Sequence, residues 1–446
     1  MGQIDVLRET LRARSREPVM VWRGVETSGS DLLARVADAT AELDRVGVAP
    51  GDAVVLLGDY GFGTVALLLA LIERRAITVP LTPEMARAVG DAPERVSARF
   101  VLDCTGDGIA VTEWPSTELP ALYRTLHDRQ APGLVLFTSG SSGRPKAVVH
   151  DFSRLLDKFR VKRPALATIN FLLFDHWGGL NTLFHCLSSG SCIVLPEGRQ
   201  PHEIARLIAA HRVELLPTTP SFLNLLLLSG AHRRFDLGSL KVISYGAEPM
   251  PAATLEAVGR ELPGVELRQT YGMIELGVLR ARSRSNGSLF LKLGGEQYET
   301  RVVDGILQVR TQAAMLGYLD APSPFTEDGF FITGDAVEED GEYLRILGRA
   351  SELINVGGQK VYPSEVEGII LDLPQVQDVV VRAEPNALLG RVVVADVLPA
   401  DGVETAGLAS LVKKHCASNL QSYMVPVRVR LVDGGLTGER LKRRRT

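Results

Sequence analysis

Between Thr138 and Val148 the chain reads TSGSSGRPKAV, a run of glycine and hydroxyl side chains closed by a lysine, directly after the apolar stretch GLVLF. A strand running into such a turn sets backbone N–H groups and hydroxyls around a concavity that suits phosphate oxygens, and Lys146 adds a mobile positive charge. Gly140, Gly143 and Lys146 stand three residues apart and Pro145 precedes the lysine, which does not fit the GxxxxGK[ST] spacing of a Walker loop. Taken alone, the stretch reads at least as well as a polar turn between a strand and a helix.

Three more segments follow in order: YGMIE (Tyr271 to Glu275), TGD (Thr333 to Asp335) and GRASELINVGGQKVYPSEVE (Gly348 to Glu367). With the first, they resemble in order and character the adenylate-forming enzymes, which comprise acyl- and aryl-CoA synthetases, adenylation domains of nonribosomal peptide synthetases, and luciferases. Weaker matches, among them GVAPGDAVVLL, FDHWGGLNTL, ISYGAEPMP, MLGYLDAP and YMVP, extend the resemblance over nearly the whole chain. The resemblance implies a two-step reaction. A carboxylate attacks the α-phosphorus of ATP to give an acyl-adenylate and pyrophosphate, and a thiol, usually that of CoA, then displaces AMP. Two anions must be brought together, so the chemistry calls for cations, N–H donors aimed at the phosphoryl oxygens, and a metal to spread the charge.

By the same resemblance, Thr138, Ser139, Gly140, Ser141, Ser142 and Gly143 cradle the leaving pyrophosphate together with Lys146. Glu275 takes the place of the family's Mg²⁺-binding glutamate; a glutamate opening a helix is its alternative reading. Tyr271, Gly272 and Met273, with the backbone of Tyr245, Gly246, Ala247 and Glu248, match the segments around adenine. Asp335 matches the aspartate that accepts from both ribose hydroxyls, a task for paired acceptor oxygens. Arg349 contacts ribose or phosphate, and the two residues after it match a hinge, where Ser351 replaces the usual aspartate or lysine. The glycine turn and Lys360 point toward the tunnel of the incoming thiol, CoA or a phosphopantetheine arm; a surface hairpin is the alternative.

FDHWGGL resembles the family's PLFHxxG segment, and the resemblance implies that His176 lies beside the substrate carboxylate, with Gly178 and Gly179 following. Asp175 is similar to the aspartate by which peptide-synthetase domains hold an α-amino group, but the pattern matched is that of the histidine, which disfavours an amino-acid substrate. Trp177, Tyr245, Met273 and Leu276 are candidates to line an apolar slot for an aromatic or short to medium acyl acid, or else belong to the core.

The tail departs from the family. The usual PxTxxGKxxR pattern aligns with DGGLTGERLKR, which puts Glu439 where the catalytic lysine belongs. A missing cation there costs a few kcal/mol of transition-state stabilisation unless replaced. Arg440 or Lys442 supplying the charge is the leading reading. The alternatives are specialisation in thiol transfer, delivery to a carrier protein or a non-thiol nucleophile, and a nucleotide- or acyl-binding protein with reduced catalysis.

Such residues need a scaffold, and 446 residues with 45% hydrophobic composition suffice for one large domain and one small. From about residue 53, apolar runs such as AVVLLG, AITVPL and VELLPTTP alternate with helical stretches such as HEIARLIAAHR and AATLEAVGREL. Strands apolar throughout and separated by helices predict mostly parallel sheets covered on both faces, an α/β fold. After Gly277 shorter strand-like pieces predict a small β subdomain, and a new α+β pattern follows. The pattern puts a boundary near Leu347 to Ser351, and the resemblance implies an adenylation core in residues 1–348 and a mobile lid in 349–446. The net charge of -4 gathers neither nucleic acid nor an anionic membrane, and no apolar run is long enough to span a bilayer. Four widely spaced cysteines fit neither a zinc site nor a disulfide framework, and a cytoplasmic setting is expected. The implied partner is a small carboxylic acid, with an acyl or peptidyl carrier protein as the alternative thiol donor; no carrier domain lies in the chain itself.

Overall fold

A computed structural model describes residues 3–106, 108–115, 118–138, 144–295, 297–400, 402–434 and 436. Two seven-stranded sheets form its larger part. In the first, six neighbouring strands run parallel in the order Glu266–Gln269, Val242–Tyr245, Leu215–Thr218, Thr168–Ile169, Ile193–Leu195 and Pro18–Trp22, and Val25–Ser28 closes the edge antiparallel. In the second, the strands Gly133–Phe137, Ile77–Leu81, Ala53–Leu57 and Phe100–Asp103 are parallel and antiparallel strands flank them.

Helices Phe62–Glu73 and Trp177–Ser189 share one core with residues of both sheets, including Met20, Ile193, Leu134 and Leu136. Both helices are apolar nearly all round (FGTVALLLALIE and WGGLNTLFHCLSS), and such a helix is stable only when covered on every side. The mostly parallel, helix-covered sheets expected from the sequence are present.

A six-stranded antiparallel sheet follows, built from strands between Ala281 and Arg349. The shorter strand-like pieces of the sequence belong to it. Beyond Arg349 a separate five-stranded sheet, built on Gly390–Pro399, which pairs with the long edge strand Val376–Asn386, packs helices Pro363–Leu371 and Leu408–Asn419 around its own core. All four cysteines are free thiols. Among the described residues no helix is long and apolar enough to cross a membrane.

Candidate active site

Ligands of open α/β sheets bind in the crevice beyond the carboxyl ends of the strands. A cavity lies there. Its wall takes Thr270, Gly272 and Met273 from beyond Glu266–Gln269, Gly246 and Ala247 from beyond Val242–Tyr245, and Thr218 and Thr219 from the end of Leu215–Thr218. Phe171, Leu172 and Leu173 follow Thr168–Ile169, and Arg199 follows Ile193–Leu195. His176, Trp177, Gly178 and Val278 complete it. Of the proposed acid-contacting residues, Tyr245 and Leu276 are not in this wall; both are buried in the core, at 1% and 0% exposure.

His176 caps the helix Trp177–Ser189: its Nδ1 accepts the backbone N–H of Gly178 at 3.1 Å. That nitrogen therefore carries no proton in the neutral ring, and Nε2 carries the N–H. The chain can enter this helix only because residue 179 is glycine. A Cβ there would sit 2.2 Å from the carbonyl oxygen of Leu173 and 2.6 Å from the Tyr60 hydroxyl. Asp175 is turned to another task, its Oδ2 accepting from the Thr82 N–H at 3.1 Å and the Thr82 hydroxyl at 2.6 Å. It is absent from the cavity wall.

Along the ends of Val242–Tyr245 and Glu266–Gln269, close packing of backbone shapes the cavity. Gly246 leaves no room for a side chain, since a Cβ would meet Thr270 Oγ1 at 2.5 Å. Ala247 next to it has φ of 69°, a left-handed conformation that a non-glycine residue adopts only when its surroundings enforce it. Glu248 accepts from the Ser221 hydroxyl at 2.6 Å. The hairpin of Tyr271–Met273 with Gly277–Leu279 then connects the cavity to the charged residues.

Asp335 and Arg349 are cross-strand partners in the six-stranded sheet, so the register itself sets them side by side. Arg349 Nε lies 2.9 Å from Asp335 Oδ1, and Arg349 Nη1 donates to the Thr333 carbonyl at 2.6 Å. The Tyr271 hydroxyl donates to Asp335 Oδ2 at 2.6 Å. Burial pushes the Tyr271 hydroxyl well above its ordinary range, and the Asp335 charge adds to the effect, so it remains a donor. Burial works against the Arg349 cation, but Asp335, Tyr271 and Glu275 together leave its pKa raised.

Glu275 Oε1 accepts the Tyr318 hydroxyl at 2.8 Å, and the ammonium of Lys146 stands 5.2 Å from the Tyr318 ring centroid. The strand Gly317–Tyr318 pairs with Ala147–Asp151, which brings Tyr318 beside Lys146. Lys146 and Thr138 form the neck of their loop, with Thr138 N–H bonded to the Lys146 carbonyl at 3.0 Å. This corrects one expectation. The loop joins the antiparallel strands Gly133–Phe137 and Ala147–Asp151 as a hairpin and does not lead into a helix.

The structure thus forms two groups of contacts, Lys146–Tyr318–Glu275 and Tyr271–Asp335–Arg349–Thr333, and the charge of Glu275 acts on Arg349 between them; sequence reading gave Tyr318 and Thr333 no role. Ser139, Gly140, Ser141, Ser142, Gly143, Glu439, Arg440 and Lys442 lie outside the described residues. Lys360 follows a Gly357–Gly358 turn with φ of 57° and 90°, a two-residue hairpin between Ile354–Val356 and Gln359–Val361, and does not line the cavity. Among the described residues no group of three His, Cys, Asp or Glu side chains could hold a metal by itself. A lone glutamate fits Mg²⁺, which binds through one or two carboxylates plus substrate phosphates and keeps several waters.

Fold and motifs together define the class: the chain belongs to the AMP-binding enzyme family, whose profile matches residues 7–318, with the AMP-binding enzyme C-terminal domain matching residues 365–438. It is similar to 2-succinylbenzoate--CoA ligase of Listeria monocytogenes, at 25% identity over 96% of this chain and 95% of the relative. It is also similar to pyochelin synthase PchD of Pseudomonas aeruginosa, at 28% identity over 91% of this chain and 84% of the relative. In fold it resembles the anthranilate CoA ligase AuaEII solved with anthranoyl-AMP, with a TM-score of 0.82 and 18% identity, covering 97% of this chain and 94% of that one.

Proposed function

We propose that the protein activates a carboxylic acid, aromatic or of short to medium acyl length, by adenylation with ATP and then transfers the acyl group to a thiol, that of CoA in the first instance. The observation that carries this reading is the convergence of Tyr271, Asp335 and Arg349 beside a largely apolar cavity that continues through Gly272 and Met273. In the proposed assignment, Asp335 offers its oxygens to the ribose hydroxyls, Arg349 and Lys146 offset phosphate charge, and Glu275 holds Mg²⁺. The ion supplies electrostatic stabilisation to the phosphoryl oxygens when bound.

The acid enters with its carboxylate at the nucleotide end of the cavity, by Gly246 and Gly272, and His176, whose ring is held in place by the helix cap, is assigned to orient it. The apolar wall excludes water, which strengthens each of these electrostatic contacts and protects the adenylate from hydrolysis. Residues 349–446 act as a lid that remodels the site between the two half-reactions. Hydroxylamine trapping across a panel of acids tests the first step: ATP-dependent hydroxamate with at least one aromatic or acyl acid is the expected result. No hydroxamate with any acid would contradict the reading.

A second reading keeps adenylation and changes the acceptor to a carrier-protein thiol. The similarity to pyochelin synthase PchD favours retaining it.

A further inference from the structure

We infer that Arg199 recognises an uncharged oxygen acceptor, a hydroxyl or carbonyl, at the end of the acid remote from its carboxyl group. This makes the substrate an elongated acid and rests on the ligase reading above. The order of strands beneath the cavity is the first ground. Gly246 and Ala247 follow Val242–Tyr245, whereas Arg199 follows Ile193–Leu195, three neighbours away in the same parallel sheet. Three strand spacings amount to about 14 Å. An acid whose carboxyl lies at the nucleotide end, by Gly246 and Gly272, therefore has its far end toward Arg199.

The second ground is how the guanidinium is held. Its Nε donates to the Phe171 carbonyl at 2.9 Å and its Nη2 to Asp59 Oδ2 at 2.6 Å, which fixes the plane of the fork. Among the described residues Nη1 has no hydrogen-bond partner, although the side chain is only 29% exposed and lines the cavity. A fixed, partly buried donor with free N–H groups is a selective feature, because a ligand lacking the matching acceptor leaves it unsatisfied.

Thr218, between the two ends, adds a further polar atom: its buried hydroxyl in the same wall also has no partner among the described residues. The Asp59 carboxylate already balances the arginine charge, which favours a neutral acceptor over a second carboxylate. The other wall residues at this end, Phe171, Leu172 and Leu173, suit the flat apolar body of an aryl acid.

The test is calorimetric titration of the full chain, without ATP, with cinnamate, 4-hydroxycinnamate and 4-carboxycinnamate, which differ only at the distal end. The wild type is expected to bind the hydroxylated acid at least tenfold tighter than cinnamate, with a smaller gain for the dicarboxylate. Arg199→Met should abolish the preference while leaving cinnamate within about threefold. Arg199→Lys, which keeps the charge but loses the fork, should cut the preference at least threefold and serves if the methionine variant does not fold. No preference in the wild type, a preference that survives both substitutions, or a larger gain for the dicarboxylate would overturn the inference. Pyrophosphate release with the same acids separates the two claims. A binding preference without release would refute the ligase reading alone, and release without a preference would refute the role of Arg199 alone.

Discussion

The Tyr271 hydroxyl and the Asp335 carboxylate are 64 residues apart in sequence and meet at 2.6 Å, and the same carboxylate faces Arg349 at 2.9 Å through its other oxygen. Both oxygens of Asp335 are thus oriented before any nucleotide arrives, and preorganisation of this kind costs nothing at the moment of binding.

Asp335→Asn removes the charge and replaces one of the two acceptor oxygens with a donor. Hydrogen bonds to charged groups contribute about 1.5–3 kcal/mol each, so kcat/KM for ATP should fall roughly ten- to hundredfold, chiefly through KM. Steady-state kinetics with varied ATP measures this, and an unchanged KM would contradict the ribose assignment.

Tyr318→Phe tests the support of Glu275. Without the hydroxyl, Glu275 Oε1 loses its 2.8 Å partner, and the half-saturating Mg²⁺ concentration for nucleotide binding should rise roughly ten- to hundredfold, the equivalent of one hydrogen bond to a charged group. The readout is Mg²⁺-dependent quenching or calorimetry with ATP. A Mg²⁺ dependence identical to the wild type would show that Tyr318 does not position the glutamate.

His150 predicts a pH dependence of stability. It is fully buried, its Nε2 lies 2.7 Å from the Ile274 carbonyl, and burial lowers its pKa to about 4. The unfolded chain takes up a proton near pH 6.5 that the folded chain takes up only near pH 4, so this contribution is intact above pH 6.5 and is lost as pH falls toward 4. The loss is on the order of 3 kcal/mol. Urea unfolding of the wild type and His150→Asn between these pH values should give a shallower acid loss in the variant, and parallel curves would contradict the assignment.

The motifs that carry chemistry were legible because each is short and local: YGMIE, TGD and the segment from Gly348 need no knowledge of the fold to be seen. So were the covered parallel sheets, because strands apolar on both faces and all-apolar helices have few other stable arrangements. What was not legible depends on long-range register. Tyr318 reaches Glu275 across 43 residues and Arg199 reaches Asp59 across 140, and neither spacing leaves a local signal. The hairpin at Thr138 to Lys146 was hidden for a related reason. The segment after it, AVVHD, is as apolar at its start as the opening of a buried helix, and only pairing with Gly133–Phe137 settles it as a strand.

The tail yields a further prediction. If Arg440 or Lys442 supplies the charge missing at Glu439, replacing the responsible residue with alanine should slow the adenylation half-reaction roughly a hundredfold, as losing one transition-state donor does. Pyrophosphate exchange in each single variant measures it. No loss in either would shift the account toward an enzyme specialised in the thiol-transfer step.

The central claim is tested most directly by pyrophosphate release in the presence of ATP, Mg²⁺ and a pool of aromatic and aliphatic acids, with and without CoA. The account predicts turnover that requires CoA and yields AMP and a thioester in equal amounts. Absence of acid-dependent release under both conditions, or a single burst indifferent to CoA, would contradict an acid–CoA ligase.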